Sequence, residues 1–249
     1  MAGRLTRSLA VFPTVPPFTA ASADELLGFL AKTDISVPLR TEGRTTAHVE
    51  RWSTARFLST YARSELIAYP IDVTPRDRPD VLLAMPNTTV GIEITEGIPT
   101  NWTRTTALHD HREYENAMFI PRCAPGETLR PTEDLDKIAR GEDMGTGWCG
   151  DSPEVDWADA MLHYTSEKVA KLVKPGFSRF DRDWLLIYDN WPLPGVDEQL
   201  ATSYLRDRLA ASGQKVPFHA IFVEGNKHFW HFEKGRVVGT AINEIWKDS

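Results

Sequence analysis

A chain of 249 residues with 41% hydrophobic and 25% charged content reads as one large globular domain, or one domain with a sizeable insertion, and is long enough to bury a real core. No apolar run approaches bilayer length, and the two cysteines, Cys123 and Cys149, make no Cys-x-x-Cys pair, so a membrane span, a disulfide framework and a structural zinc site are set aside. The net charge of −7 excludes a uniformly basic nucleic-acid binder.

That charge is local. Between Pro131 and Asp159 nine acids (Glu133, Asp134, Asp136, Glu142, Asp143, Asp151, Glu154, Asp156 and Asp159) face only Lys137 and Arg140, a balance of −7, so the rest of the chain sums to zero. A basic groove elsewhere stays open as an expectation.

Residues 1–46 read as an N-terminal arm and a short helix. The first residues carry two arginines and a small-residue Ala-Ser-Ala, but Pro13, Pro16 and Pro17 break the apolar helix that a signal peptide needs. A reducing, cytoplasmic setting is the expectation. A helix is predicted over 23–32, with Ser22 as N-cap and Glu25 completing a capping box. A polar loop follows over 41–46.

Residues 47–249 read as an α/β domain. A helix over 48–65 turns Thr54, Phe57, Leu58, Tyr61 and Ala62 inward, with Glu50 at the edge of that face. A first strand is expected over 66–73, ended by Pro75, and Pro70 marks it as an edge. Residues 81–85 are continuously apolar, as in a strand covered on both faces. Residues 89–96 alternate, with Val90, Ile92 and Ile94 on one side and Gly91, Glu93 and Thr95 on the other. Pro86-Asn87-Thr88 is the turn that joins them.

Residues 97–153 form an insertion, helical over 102–118, then acidic and loop-like. A helix over 156–174 and a strand over 184–188 follow. The next helix, over 197–212, places Leu200, Tyr204, Leu205 and Leu209 inward, with Gly213 as C-cap. Strands over 218–223 and 227–232 close the chain. The succession predicts a mixed α/β sheet flanked by helices.

The hairpin carries two misplaced-looking acids. Opposed residues of a hairpin have a constant sum, and a turn centred between Pro86 and Asn87 gives 173, which is also Asp80 plus Glu93. Two carboxylates held face to face repel each other, and a hydrated divalent cation between them removes the conflict. Magnesium suits one or two carboxylates with water and phosphate completing its shell. Such an ion acidifies water and neutralises charge building on a phosphate. Thr95, on the same face as Glu93, carries no charge to assist.

Pro79-Asp80, followed across the hairpin by Glu93-Ile94-Thr95, resembles a divergent PD-(D/E)xK motif. The helix bearing Glu50 and the later helix and strand resemble the core of that superfamily, the restriction-endonuclease-like fold, over residues 50–189 with the acidic insertion interrupting. The superfamily consists mostly of magnesium-dependent nucleases. The resemblance implies phosphodiester hydrolysis of DNA or RNA, Mg2+ or Mn2+ as cofactor, Asp80 and Glu93 as metal ligands, and Glu50 as an added helix carboxylate. Thr95 stands where the pattern expects lysine. Some members carry that lysine on a neighbouring helix. Here Trp157, Met161, Tyr164 and Leu172 form an inward stripe, and Lys168 falls on it, with Lys171 as second choice.

The competing expectation is a protein that keeps the fold without the chemistry and docks a basic partner through the acidic insertion. A homodimer is a further partner expectation. Gly145, Gly147 and Gly150 match a dinucleotide-loop spacing but follow no predicted strand. His109 with His111, and His228 with His231, diverge on their elements. Cys149 has no nearby base in sequence. Trp148, Phe177, Trp191 and Trp230 offer surfaces on which bases stack, beside the more ordinary fate of packing.

Overall fold

The computed structural model describes residues 16–115, 118–143, 145–172, 179–212 and 217–246. Eight strands form one mixed sheet whose spatial order is the chain order: β1 (Phe18–Ala20), β2 (Ile71–Pro75), β3 (Val81–Met85), β4 (Thr88–Gly97), β5 (Arg182–Asp189), β6 (Ala220–Glu224), β7 (His228–Glu233) and β8 (Arg236–Ala241). Neighbours are antiparallel except β4 with β5 and β5 with β6, which are parallel. Parallel neighbours need long crossovers. The first runs through α3 (Thr100–His111), α4 (Thr132–Ala139) and α5 (Ser152–Leu172), and the second through α6 (Glu198–Ala211).

Alternation along the strands gives the sheet two packed faces. Val90, Ile92 and Ile94 of β4, Trp184 and Leu186 of β5 and Phe222 of β6 meet α1 (Ala23–Leu30) and α2 (Thr46–Tyr61) through Leu26, Leu30, Phe57, Leu58 and Tyr61. Phe57 anchors this side, with ring centroids 4.9 Å from Phe222 and 5.8 Å from Trp184. On the opposite face Leu185, Ile187, Ile221 and Val223 meet Trp157 and Met161 of α5 and Leu205 of α6. Gly97 is placed for this second packing, since a Cβ there would come within 3.1 Å of the Met161 Cε.

The chain departs from the sequence reading in several places. Residues 66–70 form a turn with Ile67 buried, and β2 starts only at Ile71. The arm supplies β1, which pairs with β2, and α1 shares the main core. β3 is buried at Val81 and Leu83, but Leu82 and Ala84 are only half-buried, so one of its faces is partly open. α3 ends at His111, and the acidic stretch contains α4, whose Leu135, Ile138 and Ala139 are buried. α6 buries Ala201, Thr202 and Leu205, while Leu200 lies exposed; Gly213 falls outside the described residues. β8 joins the sheet beyond the two closing strands.

Ser22 caps α1 by accepting the Glu25 N–H at 3.3 Å, and the Glu25 carboxylate accepts from the Ala21 N–H. Cys123 is buried and Cys149 exposed, and both are free. Among the described residues no helix is long and apolar enough to cross a membrane.

Candidate active site

The hairpin register runs from Met85 opposite Thr88 to Val81 opposite Ile92, a constant sum of 173. One step further sets Asp80 across from Glu93. β3 begins at Val81, whereas β4 continues to Gly97, so β4 loses its β3 partner halfway along. Asp80 closes that break: its Oδ2 accepts the Ile94 N–H at 2.6 Å, satisfying a donor the ladder leaves over.

Glu93 lies level with Leu185 in the β4–β5 ladder and shares its face, the one that α5 covers. Lys168 comes down from α5 and donates from Nζ to Glu93 Oε2 at 2.9 Å, with Asp80 Oδ2 at 3.5 Å. The ammonium thus bridges both predicted ligands, its side chain 11% exposed. Glu93 is 6% exposed, and its Oε1 is buried without a hydrogen-bond partner. An anionic oxygen in that condition is costly unless a cation or donor arrives.

A cleft of roughly 230 Å3 opens beside the pair. Thr46, Val49 and Glu50 of α2 form one wall, Ile94, Thr95 and Glu96 of β4 the floor, and Lys168 and Lys171 of α5 the other wall, with Asp80 between. Glu93 sits behind Asp80 and Lys168. Burial pushes the carboxyls of Asp80 and Glu93 above their ordinary range; the Asp80 charge adds to the rise at Glu93, and Lys168 opposes it at both. Burial, followed by the Asp80 charge, pushes Glu50 up to about 7. The cleft therefore holds more negative charge than it solvates comfortably.

Asp80, Glu93, Lys168, Glu50 and Lys171 are thus brought to one place, but not as a closed metal cage. Among the described residues no group of three or more His, Cys, Asp or Glu side chains could hold a metal ion. Asp80 and Glu93 are the pair that could hold a cation, and Glu93 Oε1 is the oxygen of that pair without a partner. Glu50 stands in the field of that pair, which helps to raise its own carboxyl.

Sequence reasoning missed the two cations gathered on Glu96, a floor residue of the cleft. Glu96 accepts from Arg40 at 3.0 Å, Arg44 at 2.6 Å and the Asn190 side-chain amide at 2.7 Å. Both arginines lie in the polar segment before α2; their only signal was four-residue spacing around Thr-Glu-Gly.

The other candidates disperse. The Gly145 to Gly150 segment follows α4 rather than a strand. Cys149 is exposed, its N–H donated to Ser152 Oγ. His109 lies 3.8 Å from Asp110, and His228 is 3.2 Å from Glu198. Trp148 donates to Asp156. Phe177 falls outside the described residues.

Comparison of the chain with protein-family models, with curated proteins and with solved structures yields no match.

Proposed function

We propose that the chain is a metal-dependent nuclease of restriction-endonuclease-like fold, hydrolysing phosphodiester bonds of nucleic acid at the Asp80–Glu93–Lys168 cleft. The observation that carries this reading is the arrival of Lys168, 75 residues from Glu93 in sequence, with its amine between the two carboxylates. The resemblance expects lysine where Thr95 stands, and the amine that α5 brings to Asp80 and Glu93 supports the view that Lys168 takes that place. The succession α2, β2, β3, β4, then α3 and α4 as the insertion, then α5 and β5, with β4 parallel to β5, supports the fold part of the reading.

In this reading Asp80 and Glu93 would hold a Mg2+ or Mn2+ ion, which would neutralise charge at the phosphate and acidify water. Lys168 Nζ stands 2.9 Å from Glu93 and 3.5 Å from Asp80. Its flexible stem lets it turn to the cleft, where it orients the attacking water and steadies negative charge on the phosphoryl oxygens. Asp80 keeps its bond to the Ile94 N–H and so holds the hairpin rigid under the reacting group. Water attacks phosphorus, the bond to the leaving sugar oxygen breaks, Glu50 takes the proton of the attacking water, and solvent protonates the leaving oxygen. Arg40 and Arg44, held on Glu96, and Lys171 on the cleft wall supply positive charge that draws flanking phosphates.

The alternative, an inactive module working through its acidic insertion, is less well supported because much of that acidity is already engaged. Asp136 pairs with Arg112 and Arg140, Asp156 with Arg122, and Asp159 with Arg208. Incubation of the purified chain with single- and double-stranded DNA and RNA, with Mg2+ or Mn2+ and with chelator, decides between them. Metal-dependent cutting that disappears in Glu93→Gln is expected. Equal cutting by both proteins rejects the site, and no cutting of any substrate rejects the activity.

A further inference from the structure

β5 and β6 run parallel and end side by side at Asp189 and Glu224. Beyond them lies a second cavity of roughly 310 Å3, at the same end of the sheet as the cleft. Its walls are three tryptophans, Trp157 of α5, Trp191 just after β5 and Trp230 of β7. Trp157 and Trp191 are 6% and 7% exposed. The Trp230 ring is pressed onto Gly239 of β8, where a Cβ would fall 2.7 Å from it, so this indole is held in place by its neighbouring strand.

Polar groups converge on the same space. Asp189 accepts from Trp157 Nε1 at 2.6 Å and from the Trp191 N–H at 3.1 Å. Four lone-pair sites on a carboxylate leave it room to accept more. Burial pushes its carboxyl up to about 6, so a donor that relieves the buried charge is welcome. Glu198 stands at the rim, and Trp191 Nε1 is buried with no partner. Among the described residues no lysine or arginine lines the cavity, which makes it hostile to phosphate. Asn190, another wall residue, donates to Glu96 on the floor of the cleft and so joins the two spaces.

We propose that this cavity takes one nucleobase of the strand being cut, a base with N–H donors on its Watson–Crick edge, stacked among the indoles and read by Asp189 and Glu198. An uncharged planar ring suits aromatic walls, since every base has a π face. Acceptor-only carboxylates select donors, and guanine presents two together, N1–H and the exocyclic amine; uracil presents one. The phosphates stay outside with Arg40, Arg44 and Lys171. This inference rests on the nuclease reading and names the feature of the substrate strand that its site selects.

The test is tryptophan-fluorescence titration of the metal-free full chain with guanosine, adenosine, cytidine and uridine monophosphates, beside tetramethylammonium. Saturable quenching is expected with guanosine monophosphate, about tenfold tighter than with uridine monophosphate. Glu198→Gln, a substitution at a half-exposed rim position, and Asp189→Asn should each abolish that preference. Trp191→Phe, which keeps a ring and removes the N–H, should weaken binding of all four nucleotides. Absence of saturation, saturation by tetramethylammonium alone, or a base preference untouched by both carboxylate variants overturns the proposal. Glu93→Gln separates the two readings. Base-selective binding in a chain that cuts nothing rejects the nuclease and keeps the cavity, and cutting without base-selective binding rejects the cavity alone.

Discussion

Glu93 on β4 and Glu224 on β6 are both sheet carboxylates withdrawn from water, and each meets a cation from the helix that packs on its own face. For Glu224 the cation is Arg56 of α2, which reaches Glu224 at 2.8 Å and Glu244 at 2.6 Å with separate nitrogens. Its guanidinium lies 4.7 Å over the Trp52 ring, and Trp52 Nε1 donates to the same Glu224 oxygen. For Glu93 the cation is one ammonium, at 2.9 Å from Glu93 and 3.5 Å from Asp80, beside a cleft that a third carboxylate also lines. Each glutamate leaves one oxygen without a partner. The difference lies in what can reach it. Glu224 is fully buried in a forked, stacked arrangement that fixes α2 and the chain end to the sheet. Glu93 meets a single ammonium, a point charge on a flexible stem, whereas Glu224 meets a planar fork held between two carboxylates and a ring.

Four measurements sharpen or break that contrast. The largest effect is expected on cleavage: Glu93→Gln and Lys168→Ala should each lower metal-dependent cutting by about a hundredfold or more, while Glu224→Gln keeps cutting within a few-fold. Loss of cutting in the Glu224 variant at unchanged fold would erase the distinction. Next in size, Arg56→Ala should cost about 3–5 kcal/mol in a denaturant titration, because it strands a buried carboxylate; Lys168→Ala should cost clearly less.

The third measurement is of metal linkage. At tenfold excess over its dissociation constant, Mg2+ should stabilise the native chain by roughly 1.4 kcal/mol, reversed by chelator and absent in Glu93→Gln. Burial holds the carboxyls of Asp80 and Glu93 above their ordinary range, so protons compete with the ion, and the shift should shrink as the pH is lowered. A shift that is the same size in Glu93→Gln would place the ion elsewhere.

The smallest effect concerns Glu50. Its carboxyl is raised from 4.5 to about 7, so its charge works against folding above that point and is neutralised below 4.5 in both states. Glu50→Gln should therefore stabilise the metal-free chain by on the order of 1 kcal/mol at alkaline pH, discounted for partial exposure. The gain should fade as pH drops toward the unfolded value. A loss of stability instead would mean that Glu50 is a structural partner of the cleft.

Much of the cleft was legible before the structure, for local reasons. A two-residue turn fixes hairpin register, so Pro86-Asn87 was enough to set Asp80 against Glu93. A helical stripe fixes which side chains look inward, so Trp157 and Met161 pointed Lys168 at the sheet. What escaped was decided by distant partners. Leu66 and Ile67 are apolar because a turn tucks against the core, and periodicity cannot tell that from a strand start. β1 is three residues after two prolines, and β8 is an exposed ribbon with Val238 outside, so neither displays a buried-strand pattern. In α6 the short side chains of Ala201 and Thr202 face the core, and the longer Leu200 was mistaken for the inner residue. Arg40 and Arg44 looked like ordinary loop cations because Glu96, which gathers them together with the Asn190 amide, comes from β4.

α5 is the crossover that lets β5 lie parallel to β4, and it is also the element that delivers the amine. Those two roles cannot be uncoupled. On a ribosome the two acids can face each other as soon as the hairpin has emerged, yet their cation is positioned only once α5 has been laid down by the strand that follows it. Any chemistry that needs all three groups stays switched off in the nascent protein and in truncated copies that stop short of β5.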